Sequence, residues 1–128
     1  MTLQVLKSKI HKACVTATHL DYNGSLAIDP DIYEACGLVP FEKVLVGNLT
    51  NGQRFETYLI PAQRGSREVS PNGGVARLCQ PGDQLVVMAF AWVDAEHRPL
   101  PQVIVLDAEN RIIERPDYSL HGAQEPQA

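Results

Sequence analysis

Short apolar runs separated by tight-turn sequences constrain the fold of this chain more than any other feature. Four such runs occupy residues 43–49, 54–60, 84–93 and 102–106, and the breaks between them contain Asn51-Gly52, Pro71-Asn72-Gly73-Gly74 and Pro81-Gly82-Asp83. Apolar runs of this length, bounded by Gly, Pro and Asn, are typical of β-strands. The pattern therefore predicts a chain that is built mainly from short strands.

The remaining segments add two strands and one helix. Residues 6–11 alternate so that Lys7, Lys9 and His11 share one face of a strand, residues 14–18 keep a strand-like composition, and residues 111–114 are interpreted as an edge strand. A short helix is predicted over residues 30–36, because Asp29 suits its N-cap and Gly37 suits the position after its end. Six or so strands with one or two helical turns indicate a small β-barrel.

Composition and charge narrow the class of protein. The chain has 128 residues and 45% apolar content, which fits one domain over residues 1–128. Its net charge of −4 does not supply the cationic surface that nucleic acids or anionic membranes require. The longest apolar run, residues 85–93, is far shorter than the about 20 residues of a membrane-spanning helix. We therefore expect a cytoplasmic protein that binds neither nucleic acid nor membrane.

The cysteines and the C-terminal residues complete this outline. Cys14, Cys36 and Cys79 are widely spaced and include no C-x-x-C pair, so we expect reduced and mostly buried thiols. From about residue 116 the sequence is polar and has no periodicity, which predicts a loose tail over residues 116–128.

Several short motifs occur in an order and at spacings that point to one family. In chain order they are Lys9-Ile10-His11, Tyr22-Asn23-Gly24-Ser25, Ala27-Ile28-Asp29, Asn51-Gly52-Gln53-Arg54-Phe55-Glu56-Thr57-Tyr58, Arg64-Gly65-Ser66-Arg67 and Ser70-Pro71-Asn72-Gly73. In order, spacing and total length this set resembles the bacterial, pyruvoyl-dependent aspartate 1-decarboxylases. The resemblance extends from about residue 6 to residue 90.

The resemblance implies a fold, an assembly and a maturation step. It implies a mainly β, six-stranded double-psi β-barrel with one or two short helices, assembled as a homotetramer with active sites between neighbouring subunits. It also implies a zymogen that cuts itself into residues 1–24 and 25–128. The Ser25 hydroxyl would attack the Gly24 carbonyl, and β-elimination would then leave a pyruvoyl group at residue 25. Whether a separate maturation factor is needed stays open.

The activity implied by the resemblance is a lyase reaction. L-Aspartate would be decarboxylated at C1 to β-alanine and CO₂, feeding pantothenate and coenzyme A biosynthesis. The pyruvoyl carbonyl would form a Schiff base with the substrate amine and take up the electrons that CO₂ leaves behind, a task for which side chains are unsuited.

The resemblance also implies roles for particular residues. Ser25 and Tyr58 would be catalytic, with Tyr58 as the proton donor, while Gly24, Ser25 and Thr57 would serve cleavage. The implied substrate-binding residues are Lys9, His11, Arg54, Thr57, Asn72, Gly73, Gly74 and Val75. Among these, Arg54 would bind a carboxylate through both oxygens, and Lys9 and His11 would add positive charge. The sequence departs from the family at Gly74 and Val75, where alanines are usual.

Strand alternation tests part of this assignment without the resemblance. Arg54 and Tyr58 are four residues apart and should lie on one face of their strand, whereas Thr57 should lie on the other. The implied role of Thr57 therefore requires a bulge, or an interface that uses both faces.

Three other interpretations compete with this one. A metal site at His11, Cys14 and His19 is disfavoured, because alternation separates His11 from Cys14 and no ligand pair has the usual spacing, so no metal is predicted. A serine hydrolase using Ser25, His11 and Asp21 lacks the G-x-S-x-G elbow. The main alternative is a catalytically inert double-psi barrel that serves as a binding or assembly module, in which Ser25 would remain a serine.

Overall fold

The computed structural model describes residues 1–118, and its strands form one eight-stranded sheet. The strands are β1 (Thr2–Cys14), β2 (Ser25–Ile28), β3 (Lys43–Asn48), β4 (Arg54–Pro61), β5 (Val69–Asn72), β6 (Gln84–Asp94), β7 (Gln102–Leu106) and β8 (Ile112–Glu114). The helical segments are α1 (Pro30–Tyr33) and two 3₁₀ turns, Glu34–Cys36 and Gly73–Leu78. The strand order is β5-β2-β4-β3-β6-β1-β7-β8.

The mainly β prediction is confirmed, and the predicted strands lie close to their expected bounds. β3, β4, β6 and β7 match the four apolar runs, and β8 is the expected edge strand. Two four-residue strands, β2 and β5, were not predicted and raise the strand number from six to eight. The strand-like composition of residues 14–18 was misleading, since β1 ends at Cys14 and residues 15–18 form no strand.

The sheet curls around an apolar core, because hydrogen bonds connect its two edge regions. The Thr16 amide donates to the Val69 carbonyl of β5 at 2.9 Å, and the Asn110 side-chain amide donates to the Arg67 carbonyl at 2.9 Å. The enclosed core includes fully buried aliphatic side chains from most strands, among them Ile10, Leu26, Ile28, Val46, Leu59, Val87 and Ile104. Each curled strand therefore has one inner face and one outer face.

The short helix follows directly from its terminal residues. The Asp29 side chain accepts a hydrogen bond from the Asp31 amide at 2.9 Å and caps α1, and Pro30 occupies the first turn. The helix and its 3₁₀ extension end at Gly37, whose φ of 77° lies in the left-handed region that glycine tolerates. The predicted helix bounds and both caps are confirmed.

Asp29 also connects the end of β2 to the loop before β5. Its side chain is fully buried and accepts hydrogen bonds from the amides of Gly65 and Arg67 as well as Asp31. Burial by itself raises the pKa of the Asp29 carboxyl, but the three amide donors, with Arg64 nearby, outweigh it and hold the pKa below its ordinary value. The buried carboxylate is therefore charged and stabilised by backbone dipoles.

Two irregularities interrupt the alternation of β1. Its register against β6 shifts between Leu6 and Ser8 and again between His11 and Ala13, and Lys12 has a φ of 67°. Lys7 lies at the first shift, where its ammonium group bonds Glu42 at 2.7 Å and the Gly37 carbonyl at 2.9 Å. The expected group of three cationic or titratable side chains is thus reduced to Lys9 and His11, because Lys7 is already paired.

The cysteine prediction is confirmed, and the tail is only partly covered. All three cysteines are free, with Cys36 and Cys79 buried and Cys14 half-buried. Burial raises the pKa of Cys36 to about 12 and that of Cys79 to about 11, which leaves both thiols protonated. Of the predicted tail at residues 116–128, residues 119–128 lie outside the described part of the chain. No helix within residues 1–118 is long and apolar enough to cross a membrane.

Candidate active site

A cleft of about 480 Å³ opens at the start of β2. β2 lies between β4 and β5, so it brings together segments that are far apart in sequence. The cleft is lined by Asp21, Tyr22, Asn23, Ser25, Tyr58, Ile60 and Asn72. Three of the residues expected to form the site, Ser25, Tyr58 and Asn72, therefore meet in one cavity.

Ser25 is held by hydrogen bonds on both sides of its hydroxyl group. Its side chain is buried, and Oγ donates to the Asn23 carbonyl at 3.2 Å. Asn72 pairs with Ser25 across β2 and β5, and its Nδ2 donates to Ser25 Oγ at 3.3 Å. Both partners are uncharged amide groups, so the hydroxyl is oriented but neither partner is a base that could remove its proton at neutral pH.

Asn72 retains an unused acceptor in the cleft. Its side chain is 3% exposed, and Oδ1 has no hydrogen-bond partner within residues 1–118. Leaving a buried acceptor unpaired costs about 1–3 kcal/mol. Asn72 Oδ1 is therefore a polar atom that is closed off from solvent and left without a partner in the uncut chain.

Tyr58 is adjacent to Ser25 because of the parallel pairing of β2 and β4. Leu26 is opposite Leu59, which places Ser25 and Tyr58 next to each other on one face of the sheet. The Tyr58 side chain is 38% exposed, and its ring lies 6.3 Å from the ring of Phe41. The phenol is thus positioned at the cleft and open to solvent.

The turn before Ser25 is fixed to β5 and to the 3₁₀ turn that follows it. The Gly73 amide donates to the His19 carbonyl at 2.9 Å, and the Tyr22 amide donates to the same carbonyl at 3.3 Å. The rings of His19 and Tyr22 stack with centroids 4.6 Å apart. Around Gly24 the space is open, since a Cβ there would meet no atom within 4 Å outside its chain neighbours.

Arg54 shares the outer face of β4 with Tyr58, as predicted. Both side chains are exposed, whereas the residues that follow them, Phe55 and Leu59, are buried. Four residues of extended strand separate the Cα atoms of Arg54 and Tyr58 by about 13 Å. Arg54 consequently does not line the cleft at Ser25.

Lys9 and His11 lie on the same outer face, three strands away from β4. His11 is opposite Val86, Val86 is opposite Gly47, and Gly47 is opposite Arg54. Three strand spacings separate His11 from Arg54 by about 14 Å. Within a single chain, the structure therefore places Lys9, His11 and Arg54 on one surface but does not bring them to the cleft.

The environment of His11 disfavours its protonated form. Burial lowers the pKa of the imidazole below its ordinary value, and the nearby charges of Lys9 and Lys12 lower it further. Its Nδ1 atom is buried and has no hydrogen-bond partner within residues 1–118. The lowered pKa of His11 weakens the positive charge that it adds to this surface, to which Lys9 and Arg54 also contribute.

Thr57 lies on the face of β4 opposite Arg54 and Tyr58, as alternation predicts. It is half-buried between Phe55 and Leu59 and is paired with Val44. β4 pairs with both of its neighbours without a register shift, so no bulge turns Thr57 toward the cleft. Of the two explanations offered for its role, the bulge is therefore wrong.

Sequence comparisons identify the protein family of the chain that carries this site. The family model for aspartate decarboxylase matches residues 1–113. The chain belongs to the aspartate decarboxylase family.

Three relatives illustrate the extent of the similarity. The aspartate 1-decarboxylase of Coprothermobacter proteolyticus is 50% identical over 114 residues, which cover 89% of this chain and 95% of that protein. The proteins of the same name from Carboxydothermus hydrogenoformans and Pelotomaculum thermopropionicum are 42% and 47% identical over 127 and 124 residues. They cover 98% and 95% of this chain, and 100% and 94% of their own lengths.

Gly74 and Val75, the two positions where the sequence was expected to depart from the family, lie in the 3₁₀ turn after β5. Gly74 is exposed, whereas Val75 is half-buried and packs against the apolar core. Neither lines the cleft of the single chain. The first glycine of this turn, Gly73, is buried and contacts the Gly24 backbone directly.

The described residues do not assemble the two competing active sites, the metal site and the serine hydrolase triad. Within residues 1–118 no group of three or more His, Cys, Asp and Glu side chains could hold a metal ion. Ser25 Oγ bonds Asn23 and Asn72 rather than His11, so the three residues of a hydrolase are not assembled.

Sequence reasoning missed four lining residues of the cleft. Ile60 could have been found by alternation, since it follows Tyr58 by two residues on the same strand. Asp21, Tyr22 and Asn23 line the cleft because the turn before Ser25 folds back onto β5, and no local pattern in the sequence indicates this contact.

Proposed function

We propose that this chain is the self-cleaving precursor of a pyruvoyl-dependent aspartate 1-decarboxylase that converts L-aspartate into β-alanine and CO₂. One observation carries the proposal: in a chain of this family, Ser25 directly follows Gly24, and its buried hydroxyl is oriented in a cleft beside Tyr58. The relatives described above bear the name of this enzyme.

Cleavage would use only groups of the chain and one water molecule. Ser25 Oγ bonds to the Gly24 carbonyl carbon as the peptide C–N bond breaks, and the hydroxyl proton ends on the freed Ser25 nitrogen, which turns the amide into an ester and an amine. Loss of the Ser25 α-proton then breaks the ester C–O bond, leaving the Gly24 carboxylate and a dehydroalanine. Water displaces its nitrogen as ammonia and leaves a pyruvoyl group on the fragment of residues 25–128. Glycine at position 24 presents no Cβ beside the attacked carbonyl.

The environment of Ser25 supports a slow first step. Its hydroxyl partners, the Asn23 carbonyl and the Asn72 amide, orient the oxygen but accept no proton at neutral pH. The proton must therefore pass from the hydroxyl to the Ser25 nitrogen by way of water or of a base that acts as a carrier and is not consumed. A maturation factor that supplies such a base, or compresses the turn before Ser25, would accelerate cleavage.

The cleft offers groups suited to decarboxylation. A pyruvoyl group at residue 25 would supply the electron sink that loss of CO₂ requires. The Tyr58 hydroxyl lies at the same cleft and would protonate the substrate carbon, a role worth about 10²–10⁴-fold in rate. Asn72, which lines the cleft and bonds Ser25, would contact the bound substrate.

The cations that would bind the substrate carboxylates are located on the outer face. Within residues 1–118 neither Lys9 nor Arg54 forms an ion pair, so both charges are available. The Cα atoms of Arg54 and Tyr58 are about 13 Å apart along β4, and Arg54 is not among the residues that line the cleft. We therefore propose a homotetramer in which Lys9, His11 and Arg54 of one copy complete the cleft of a neighbouring copy, with Gly73, Gly74 and Val75 as its backbone wall.

The wider setting follows from the same proposal. Residues 1–128 would form one domain whose two fragments stay together after the cut. The enzyme would act in the cytoplasm and supply β-alanine for pantothenate and coenzyme A biosynthesis. Thr57 would assist cleavage from the opposite face of β4 by way of subunit packing.

Incubation with L-aspartate tests the proposal directly. Purified protein should release equal amounts of CO₂ and β-alanine, and borohydride added with L-aspartate should attach the substrate to residue 25. The Ser25→Ala variant, which keeps the packing of β2, should do neither. Attachment to a lysine would indicate a different class of decarboxylase, and a folded chain that stays uncut and forms no product would leave the inert binding or assembly module.

A further inference from the structure

Gly73 and Gly24 are in direct backbone contact at the proposed point of cleavage. A Cβ atom placed on Gly73 would lie 2.6 Å from Gly24 Cα, 2.7 Å from Gly24 N and 2.9 Å from the Tyr22 carbonyl oxygen. Ordinary van der Waals contact for a Cβ begins at about 3.4 Å, so these atoms leave no room for a side chain. The scissile segment therefore rests on a position that only glycine can occupy without displacing it.

No other described glycine has this relationship to the backbone. Gly52, Gly65 and Gly82 also have positive φ, but a Cβ at any of them would meet nothing within 4 Å. A Cβ at Gly37 would meet only the flexible end of the Gln102 side chain. Gly73 also has a positive φ, 70°, as glycines in ordinary turns do. Its lack of space for a Cβ is a separate requirement for glycine at this position.

The contact is held from both sides of the turn. The Gly73 amide and the Tyr22 amide donate to the same His19 carbonyl, and the ring of His19 stacks on Tyr22. At the other end, Ser25 is paired with Asn72, the residue before Gly73. The turn cannot move away from Gly73 without breaking hydrogen bonds at one end or the other.

We propose that Gly73 is a positioning residue for chain cleavage: its missing side chain lets the Gly24–Ser25 peptide lie where the Ser25 hydroxyl can attack. The inference rests on the self-cleavage proposed above. A Cβ at Gly73 would have to displace Gly24 by about 0.8 Å to restore ordinary contact. A misplacement of this size costs about 10²-fold in the rate of a positioned reaction. The effect precedes any binding of substrate.

The test compares cleavage rates of Gly73→Ala and Gly52→Ala. Both substitutions place an alanine at a positive φ, 70° and 81°, but only the first meets backbone atoms. Fragment formation from freshly purified precursor is followed by intact mass, and folding is checked by thermal unfolding. Gly73→Ala should cut about 10²-fold more slowly than the unchanged chain, and Gly52→Ala should cut at the unchanged rate.

A second variant separates steric contact from backbone strain. Asparagine tolerates the left-handed region yet carries a Cβ, so Gly73→Asn should have less backbone strain than Gly73→Ala, keep the clash with Gly24 and still cut slowly. Normal cutting by folded Gly73→Ala or Gly73→Asn, while the unchanged chain cuts, would overturn the role of Gly73. Equal slowing in Gly52→Ala would attribute the effect to strain and overturn it as well. If the unchanged chain never cuts, the proposed self-cleavage fails instead.

Discussion

Replacing Tyr58 by phenylalanine should separate chain cleavage from decarboxylation. The phenylalanine ring keeps the contact with Phe41 at 6.3 Å, and residue 58 is 38% exposed. The Ser25 hydroxyl bonds Asn23 and Asn72, not Tyr58. Loss of such an exposed hydroxyl should change the free energy of unfolding by no more than about 0.5 kcal/mol. Cleavage should persist because the Ser25 hydroxyl is held by Asn23 and Asn72 instead.

Decarboxylation by the same variant should fall by about 10²–10⁴-fold, the usual loss when a positioned proton donor is removed. Each tenfold loss corresponds to about 1.4 kcal/mol of barrier, so the catalytic effect is several times larger than any effect on folding. The assay measures the fragment ratio by mass spectrometry and β-alanine production on one sample of Tyr58→Phe. Near-normal β-alanine production by fully cut protein would refute the assignment, and a failure to cut would move Tyr58 to maturation.

Two further predictions concern the assembly and the fold. Ser25→Ala and Arg54→Ala chains should each be inactive alone, but co-expression should recover part of the decarboxylase activity in mixed oligomers. In these oligomers one copy supplies the cleft and the other supplies the guanidinium group. Absence of recovery would place each site within one chain. Asp29→Asn should lower the free energy of unfolding at pH 7 by about 1–3 kcal/mol, since the amide cannot accept all three backbone N–H groups. The folded pKa of Asp29 is lowered, so the stability that Asp29 adds is present above the unfolded pKa of about 3.9 and is lost as pH falls through the folded pKa. Urea unfolding measures the effect of Asp29→Asn at each pH. Equal destabilisation at every pH would contradict this account.

The strands with clear alternation were predictable from the sequence, and the strands that build the cleft were not. β4 shows alternating exposure, which placed Arg54 and Tyr58 on one face and Thr57 on the other. β2 and β5 are buried at all four positions and have no period-2 pattern. β5 also contains Pro71 and Asn72, which read locally as a turn. Only long-range pairing on both sides of β2 makes these segments strands.

The residues of the site were likewise only partly predictable from the sequence. The family resemblance pointed to Ser25, Tyr58 and Asn72, which meet at the cleft. Register between distant strands decides how far Lys9 and Arg54 lie from them, and register is not written in any single segment. The lowered pKa of His11 likewise depends on burial and on neighbouring lysines that only the folded chain brings into place.

Intact mass of the incubated protein tests the central claim most directly. The precursor should convert into a fragment of residues 1–24 and a fragment of residues 25–128, the larger one lacking an α-amino group and lighter by one ammonia than a chain that begins with serine. Ser25→Ala should remain whole under the same conditions and stay folded. A folded, unmodified chain that remains whole after prolonged warming, with cell extract added to supply any maturation factor, would contradict the account.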